Sequence, residues 1–301
     1  MSGRGLAIVS AADARFFELL RNLVRSIRRQ ARGCDAALHV LDVGLSQEQR
    51  EELAQLGVVL ETARNDFGVK ITDGMPPHVL ALLSRAWLPE YFPGFDAYLW
   101  IDADAELQDW RSVELYVEGA RRGALAITPE ADRAYALPRI KLRLGRPWKI
   151  KHWLYERSRN VYSREDVQLL ANRNVLNCGV FALARDAPHW DAWRESFDAA
   201  LARGHHARWI EGGDQLSLCH AVYTRDLPVE LLPAWCNWSC IHALPAVDPE
   251  TGLLVEPYLP HAVLSIVHAV GMTAEQATQP RSLVALDGSR VERPLLGVSK
   301  A

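Results

Sequence analysis

The chain has 301 residues, of which 49% are hydrophobic and 24% charged, and its formal net charge at pH 7 is −3. This composition is typical of a globular protein with a substantial core, and no apolar run approaches the roughly 20 residues needed to cross a bilayer. A mildly acidic chain has no general attraction for nucleic acid. The five scattered cysteines include no CxxC pair, which argues against a disulfide framework or zinc knuckle and favours a cytoplasmic protein with reduced thiols.

Apolar runs alternate with helical periodicity in the first half of the chain. The runs predict strands at residues 6–9, 37–41, 58–60, 98–101 and 124–127, and the periodicity predicts helices after Asp13, from Ser46 to about 56, at about 77–88 and at about 110–120. Because strands alternate with helices, we predict an α/β fold in which a mostly parallel sheet is flanked by helices on both faces.

The second half of the chain is less regular. Its pattern predicts a strand at residues 175–181, helices at about 188–202 and from Asp214, and a last strand at 264–268. Gly212-Gly213 indicates a turn, and five prolines from Pro233 to Pro260 indicate loops. We therefore expect one domain over residues 1–275 with a loop-rich C-terminal part, followed by a tail at 276–301.

Residues 139–159 concentrate positive charge within this acidic chain. They hold eight lysines and arginines against one glutamate, a net charge of +7 that leaves −10 for the remainder. Trp148, Trp153 and Tyr155 lie among these cations, and we interpret residues 139–164 as a basic insertion. A solvated loop is one interpretation. The other is a lid or acceptor platform that stacks on sugar, or that makes peripheral contact with the inner face of the membrane through 139–159.

The run from Tyr98 to Asp104 carries the strongest chemical signal. An apolar strand ends there in Asp102 and Asp104, one residue apart. In open parallel sheets, ligands bind beyond the carboxyl ends of the strands, and two carboxylates at that edge repel each other unless a cation lies between them. Mg²⁺ and Mn²⁺ prefer carboxylate and water oxygens, with substrate phosphates completing the shell. The motif therefore predicts a divalent metal that holds a phosphate group.

Several short motifs follow one another between residues 6 and 271. They are the first strand with Ala11-Ala12-Asp13, Val40-Leu41-Asp42, Arg85 with Leu88-Pro89-Glu90, Asp102-Ala103-Asp104, Asn177-Cys178-Gly179-Val180, Asp214-Gln215, Leu232-Pro233 with Trp235 and Asn237, and His268. Their order resembles glycosyltransferase family 8. The resemblance implies a GT-A (Rossmann-like) fold and a retaining, metal-dependent transferase that uses a nucleotide-sugar donor, usually a UDP-sugar.

The resemblance also implies roles for individual residues. Asp102 and Asp104 match the DxD metal ligands, and His268 matches the histidine that completes the protein's share of the metal shell. Asp13 matches a contact to the uracil and ribose of the donor, and Arg85 matches an arginine near the diphosphate. The implied contacts to the donor sugar are Asn177, Gly179, Asp214 and Gln215, of which Asp214 and Gln215 are the catalytic candidates.

One position departs from the family pattern. The family's histidine opens an H-x-x-G-x-x-K pattern, whereas His268 and Gly271 are followed by Met272-Thr273-Ala274. The lysine that would grip the diphosphate is therefore absent. Either a residue of the basic insertion replaces it, or the donor binds weakly.

Together these observations predict a transferase that uses Mn²⁺ or Mg²⁺ to move a hexose from a UDP-sugar to a hydroxyl group of a glycan, glycolipid or other acceptor. If Gln215 lies nearest the anomeric carbon, its poorly nucleophilic amide favours attack by the acceptor on the face that the diphosphate leaves. Two alternatives stay open. One is a non-catalytic nucleotide-sugar-binding protein derived from such an enzyme. The other is a DxD-type phosphatase or phosphotransferase, although Thr or Val normally follows that motif and Ala105 follows here.

Overall fold

The computed structural model describes residues 5–65, 78–135, 139–202 and 212–297. Its strands are β1 (Leu6–Ala12), β2 (Ala37–Asp42), β3 (Val58–Thr62), β4 (Ala97–Ile101), β5 (Ala105–Leu107), β6 (Leu125–Pro129), β7 (Arg139–Arg143), β8 (Arg146–Lys151), β9 (Leu176–Ala184), β10 (Val229–Leu231), β11 (Trp238–Ser239), β12 (Ala246–Val247), β13 (Leu254–Val255), β14 (Ile266–His268), β15 (Arg281–Val284) and β16 (Arg290–Arg293). Its helices are α1 (Phe17–Arg28), α2 (Gln47–Gln55), α3 (His78–Ser84), α4 (Leu88–Tyr91), α5 (Arg111–Arg121), α6 (Trp153–Ser158), α7 (Arg164–Leu170), α8 (His189–Ala202), α9 (Gly213–Thr224) and α10 (Ala274–Thr278).

Within the described residues, seven strands form a central sheet in the order β10-β6-β9-β4-β1-β2-β3. Strands β1, β2, β3 and β4 run parallel, β6 runs parallel to β10, and β9 is antiparallel to both of its neighbours. The sheet is therefore mostly parallel, as the alternation of strands and helices predicts. Its parallel strands end at one edge, where Asp102 follows β4 and Glu130 follows β6.

Helices cover both faces of this sheet. Every residue of β4 is buried because its side chains alternate between two cores. Tyr98 and Trp100 lie in one core with side chains of α3, α8 and α9. Leu99 and Ile101 lie in the other core with side chains of α1, α2 and α5. Burial on both faces explains the continuous apolar sequence of this strand.

A smaller sheet, β11-β14-β5, extends from the carboxyl end of β4. Strand β5 begins directly after Asp104 and pairs antiparallel with β14, so that Ala105 lies opposite His268. Strand β11 pairs with the other side of β14 and places Ser239 opposite His268. This register brings His268 to the DxD turn although the two lie far apart in the sequence.

The helix expected at about 77–88 is divided in the structure. A 3-10 turn at Arg85–Trp87 separates α3 from α4. Pro89 lies in the first turn of α4, where a helix does not need a backbone N–H donor. Pro77, the expected start of the helix, lies outside the described residues.

The C-terminal region contains more structure than the sequence predicts. The strand at 264–268 is not the last one, because an antiparallel β15–β16 hairpin follows it. Leu283, Leu295 and Leu296 are buried in a core that also contains Trp238. The described part of the expected tail, residues 276–297, therefore packs against the preceding residues.

The expected basic insertion at 139–164 consists of the β7–β8 hairpin, α6 and the connection to α7. Ser163 caps α7 with a reciprocal capping box, in which its hydroxyl accepts the N–H of Asp166 at 3.1 Å. In the part of the chain that the structure describes, no helix combines the length and apolarity needed to span a membrane.

Candidate active site

Asp102 and Asp104 lie in a tight turn at the carboxyl end of β4. The N–H of Asp102 donates to the carbonyl of Gly179 on β9 at 2.8 Å, and the N–H of Ala105 donates to the carbonyl of Asp102 at 3.1 Å. Both aspartate side chains are only partly exposed at this edge of the sheet. The turn thus brings two carboxylates together where the sequence predicts a metal.

His268 joins the two aspartates in a compact group. Its Nε2 lies 3.1 Å from Oδ1 of Asp104 and 3.8 Å from Oδ2 of Asp102. One potential ligand atom from each of the three residues lies within 4.8 Å of the others. Two carboxylate oxygens and one imidazole nitrogen can hold Mn²⁺ or Mg²⁺ and leave positions for phosphate oxygens. The donor set therefore fits the predicted ion.

Asn237 fixes the orientation of the histidine ring. Nδ1 of His268 donates to Oδ1 of Asn237 at 2.9 Å, and Nδ2 of Asn237 donates to Oδ1 of Asn177 at 3.1 Å. Since the amide nitrogen of Asn237 is used in this way, its oxygen faces the ring and selects the tautomer with the proton on Nδ1. That tautomer directs the Nε2 lone pair toward the aspartates, as a metal ligand requires.

Gly179 provides the space in which the three side chains meet. A β-carbon at this position would lie 2.2 Å from Cε1 of His268 and 2.9 Å from Oδ2 of Asp102. Gly179, which the resemblance assigns to the contacts with the donor sugar, therefore also borders the metal-binding group. The N–H of Gly179 donates to Oδ1 of Asn177 at 3.0 Å, the same oxygen that accepts Nδ2 of Asn237, the residue that orients His268.

Arg85 is a buried cation between two carboxylates. Its guanidinium forms ion pairs with Asp102 and Asp214, donates to Sγ of Cys178 at 3.1 Å, and lies 4.9 Å from the ring centroid of Trp100. The indole N–H of Trp100 also donates to Oδ1 of Asp102 at 2.7 Å. Arg85 thereby connects the DxD turn to the start of α9 and partly neutralises the acidic group.

Burial and mutual charge shift the titration of the three metal-binding candidates. Burial raises the pKa of Asp102 against the opposing charge of Arg85, and the charge of Asp104 adds to the increase. Burial acts in the same direction on Asp104, but the charge and hydrogen bond of His268 outweigh it and lower the pKa of that carboxyl. For His268, burial acts to lower the pKa, yet Asp104 and Asp102 together raise it. A bound cation therefore competes with a proton on His268.

Glu130 holds two of the residues assigned to the donor sugar. Its Oε1 accepts Nδ2 of Asn177 at 3.1 Å and Nε2 of Gln215 at 3.3 Å. Oε1 of Gln215 accepts the N–H of Cys178 at 3.3 Å, so both ends of the Gln215 amide have a partner. On the other side of Glu130, Nε2 of His242 lies 3.4 Å from Oε2.

A cavity of about 190 Å³ opens beside the DxD turn, and Asp13 and Arg85 contribute to its wall. Oδ1 of Asp13 accepts the N–H groups of Arg15 at 3.0 Å and Phe16 at 3.1 Å. Oδ2 of Asp13 pairs with the Arg15 guanidinium at 3.0 Å. Asp13 is thus buried and caps the turn that leads into α1, while lining the cavity that reaches the metal-binding group.

The position of the missing lysine begins a helix. Gly271 has a φ of +71°, which favours glycine, and Thr273 caps α10 by accepting the N–H of Gln276 at 3.2 Å. Ala274 is the first residue of that helix. The sequence from 269 to 280 contains no lysine or arginine that could replace the missing lysine.

The residues that the resemblance assigns to the metal and the donor lie around the carboxyl edge of the central sheet: Asp13, Arg85, Asp102, Asp104, Asn177, Gly179, Asp214, Gln215 and His268. The sequence pattern does not single out Glu130, and it includes Asn237 only as part of the motif with Leu232-Pro233 and Trp235. The position of Glu130 could have identified it, because it follows an apolar run. In the predicted, mostly parallel sheet, that strand would end at the same edge as β4. The support that Asn237 gives to His268 depends on long-range packing, which the local sequence does not reveal.

The sequence matches no protein-family model and no curated protein. Solved structures are nevertheless similar in three dimensions. The galactosyltransferase LgtC in complex with donor and acceptor sugar analogs gives a TM-score of 0.52 at 16% identity, over 88% of this chain and 87% of LgtC. Mouse xyloside xylosyltransferase 1 in its apo form gives 0.52 at 13% identity, over 89% of this chain and 98% of that enzyme. The bifunctional glycosyltransferase WbbM gives 0.53 at 15% identity, over 92% of this chain and 48% of WbbM.

The chain has the GT-A glycosyltransferase fold. Its mostly parallel sheet between two layers of helices is the architecture that the sequence predicts, and the likeness extends over most of the chain. At these identities the comparison establishes the GT-A fold, while membership of family 8 stays a prediction.

Proposed function

We propose that this GT-A protein is a metal-dependent, retaining glycosyltransferase of family 8 that transfers a hexose from a UDP-sugar to a hydroxyl group of a glycan, glycolipid or other acceptor. The observation that carries the proposal is the group formed by Asp102, Asp104 and His268 at the carboxyl edge of the sheet. The GT-A fold, shared with an enzyme solved with donor and acceptor sugar analogs, favours sugar transfer over the phosphatase alternative.

Asp102, Asp104 and His268 would hold Mn²⁺ or Mg²⁺ in this proposal. The bound ion supplies Lewis-acid stabilisation of the charge that develops on the departing diphosphate. Asn237 keeps the imidazole in the tautomer that can ligate, and Gly179 leaves room for the three side chains to converge. The protein's contribution is therefore a site whose ligands are held in place before the donor arrives.

We propose that Arg85 holds the DxD turn and the sugar subsite in position relative to each other. Its planar guanidinium can bridge Asp102 and Asp214 at once, which a lysine cannot do with the same geometry. Arg85 also lines the same cavity as Asp102 and Asp104, so its positive charge would lie near an anionic diphosphate bound there. Because the family's lysine is absent, we assign Arg85 a share of that electrostatic role.

The cavity beside Asp13 is proposed to receive the uracil and ribose of the donor. Its wall combines apolar side chains, including Phe16 and Val43, with the carboxylate of Asp13. Apolar walls with a few fixed polar groups are typical of small-molecule sites. The cavity also reaches Asp102 and Asp104, so a nucleotide in it could extend its diphosphate to the metal.

Asn177, Gly179, Asp214 and Gln215 form the proposed subsite for the donor sugar. The carboxylate of Asp214 is buried and paired with Arg85, and its Oδ2 also accepts the thiol of Cys178 at 3.2 Å, contacts that lower its nucleophilicity. Gln215 carries a poorly nucleophilic amide, and an active-site glutamine is also present in LgtC, where a glutamate variant has been solved. These features favour attack by the acceptor oxygen on the face that the diphosphate leaves. The bond from the anomeric carbon to the diphosphate oxygen breaks, and that diphosphate takes up the acceptor's proton.

The proposed activity can be tested without knowledge of the acceptor. We expect slow release of UDP from a UDP-hexose in water, dependent on Mn²⁺ or Mg²⁺ and abolished in the double variant Asp102→Asn/Asp104→Asn. Asp186→Asn is the matched control, because Asp186 is an exposed acidic residue outside the site. Metal-dependent donor binding without turnover would instead indicate a non-catalytic nucleotide-sugar-binding protein, and no binding at all would contradict both.

We also propose that residues 139–159 make peripheral contact with the inner face of the membrane. The support is the strong excess of lysine and arginine in this segment of an otherwise acidic chain. Anionic lipids on the cytoplasmic side attract such segments by roughly 1 kcal/mol for each cation near the surface.

A further inference from the structure

Exposed hydrophobic side chains concentrate in the C-terminal part of the protein. Eleven large hydrophobic residues are exposed in the described part of the chain, and six of them lie between residues 241 and 286: Ile241, Leu244, Tyr258, Leu259, Val284 and Leu286. Single apolar residues scattered over a surface are ordinary, whereas a concentration of them marks a binding surface. The distribution therefore directs attention to this region.

Three of these exposed residues line an open cavity of about 490 Å³. Leu244 reaches it from the loop before β12, and Val284 and Leu286 reach it from β15 and the turn that follows. The loop at 257–261, which carries two further exposed residues, contributes both of its ends to the wall. A volume of this size is typical of small-molecule sites, whereas a two-fold interface between copies requires a self-complementary surface. The cavity therefore suits a small apolar ligand better than a second copy of the chain.

The ionisable groups on the wall of this cavity are basic. Arg290 and His261 line it, and the acidic residues nearest to Arg290 in the sequence, Asp287 and Glu292, do not. Within the described residues, Arg290 makes only a 3.5 Å hydrogen bond to Oγ of Ser282. Nδ1 of His261 donates to a backbone carbonyl at 3.0 Å, which leaves Nε2 for another partner. A guanidinium beside an apolar cavity is suited to a ligand whose apolar chain carries a phosphate or carboxylate.

The cavity begins close to the proposed sugar subsite. Leu244 follows His242 by two residues, so their Cα atoms lie at most about 7.6 Å apart. Nε2 of His242 lies 3.4 Å from Oε2 of Glu130, and Oε1 of Glu130 accepts Nε2 of Gln215 at 3.3 Å. A ligand bound in the cavity could therefore extend a hydroxyl group toward the sugar subsite.

We propose that this cavity binds the alkyl or acyl chain of an amphipathic ligand, with Arg290 on a phosphate or carboxylate of that ligand, and that the chain belongs to the acceptor. The acceptor would then be a sugar attached to an apolar chain. This assignment to the acceptor rests on the proposed function. Binding of the chain does not depend on that function, so the two parts can fail separately.

Calorimetric titration with alkyl phosphates, each below its critical micelle concentration, tests the cavity in the absence of any nucleotide sugar. Since each buried methylene group strengthens binding by roughly fourfold, we expect decyl phosphate to bind the full chain at least tenfold more tightly than hexyl phosphate. Hydrogen exchange should show that decyl phosphate protects the β15–β16 hairpin. Equal affinity for the two phosphates, or no protection of the hairpin, would overturn the proposal.

Two variants separate the apolar contact from the ionic one. Val284→Ser/Leu286→Ser should weaken binding of decyl phosphate at least tenfold, and Arg290→Gln should weaken it about tenfold without changing the dependence on chain length. Val59→Ser is the matched control and should bind like the wild type, because Val59 is 55% exposed on β3 and Val284 is 49% exposed on β15. Unchanged affinity in either cavity variant would contradict the proposed contact. Self-association that Val284→Ser/Leu286→Ser abolishes, without any binding of decyl phosphate, would show that a second copy covers the cavity and that the proposal is wrong.

The assignment to the acceptor is tested with paired methyl and decyl hexosides as acceptors for a UDP-hexose in the presence of Mn²⁺. We expect the KM of the decyl hexoside to be at least tenfold lower than that of the methyl hexoside, and Val284→Ser/Leu286→Ser to remove this difference without changing kcat. Equal KM values, or no transfer to either hexoside while metal-dependent UDP release persists, would reject the assignment to the acceptor and retain the binding site. Binding of decyl phosphate without any UDP release would reject the proposed function.

Discussion

At the scale of single residues, Gly179 illustrates how closely the metal-binding group is packed. In Gly179→Ala, the added β-carbon would overlap His268 and press on Asp102, so one ligand must move. We expect Mn²⁺ affinity and UDP-hexose turnover to fall at least a hundredfold, whereas overpacking should lower the free energy of unfolding by only about 1–3 kcal/mol. Calorimetric Mn²⁺ titration and urea denaturation would measure the two effects. Unchanged Mn²⁺ affinity in a folded variant would contradict the geometry.

Asn237 allows a test of histidine orientation that leaves the three ligands in place. Asn237→Ala removes the acceptor of the Nδ1 proton, and we expect Mn²⁺ affinity to fall about 10- to 100-fold. Asn237→Asp retains an acceptor at the same position and should bind Mn²⁺ more tightly than the alanine variant. Equal affinity in the two variants would show that the contact does not orient His268.

The affinity for the metal is expected to depend on pH through His268. The neighbouring aspartates raise the pKa of this imidazole, so its proton is retained to higher pH than on an unperturbed histidine. Protonated imidazole cannot ligate, and Mn²⁺ affinity should therefore fall as pH decreases, by up to about tenfold for each pH unit below that pKa. Mn²⁺ titration by electron paramagnetic resonance would follow this change. The variant His268→Gln should bind Mn²⁺ weakly, and its Mn²⁺ affinity should depend less on pH near neutrality. An identical pH dependence in the wild type and the variant would show that a group other than His268 causes it.

At the scale of the elements, Arg85 joins β4 to α9 from the 3-10 turn between α3 and α4. In Arg85→Met, Asp102 and Asp214 lose their buried partner, and we expect the free energy of unfolding to fall by about 3–5 kcal/mol. Adding Asp214→Asn to that variant should recover part of the loss, because one unpaired charge is removed. Urea denaturation would measure both variants. A stable Arg85→Met protein, or no recovery in the double variant, would show that the bridge does not hold these elements together.

The sequence predicts an element well where local periodicity and burial agree. Strand β4 is buried on both faces, so its apolar run is unambiguous. The capping box at Ser46, which the structure confirms, depends only on neighbouring residues. By contrast, the direction of β9 and the pairing of β5 with β14 depend on how distant segments assemble, and no local pattern encodes them. The division of the helix near Pro89 has a local signal, because proline favours a helix start and disfavours its interior.

At the scale of the whole molecule, the order of motifs was more informative than any single motif. The contact between Asp104 and His268 joins residues 164 positions apart, so it followed from the family resemblance and not from composition or spacing. The carboxylate pair itself could be assigned chemically, because a parallel sheet directs strand ends to one edge. Glu130 lies at that same edge, yet its role as the partner of Asn177 and Gln215 became apparent only from the packed structure.

The most direct test of the proposed metal site is anomalous diffraction from a crystal grown with Mn²⁺ and UDP. We predict a manganese peak coordinated by Asp102, Asp104 and His268, with oxygens of the UDP diphosphate completing its shell and the uridine in the cavity beside Asp13. Manganese elsewhere, or UDP bound in this cavity without contact to a metal at the three residues, would contradict it.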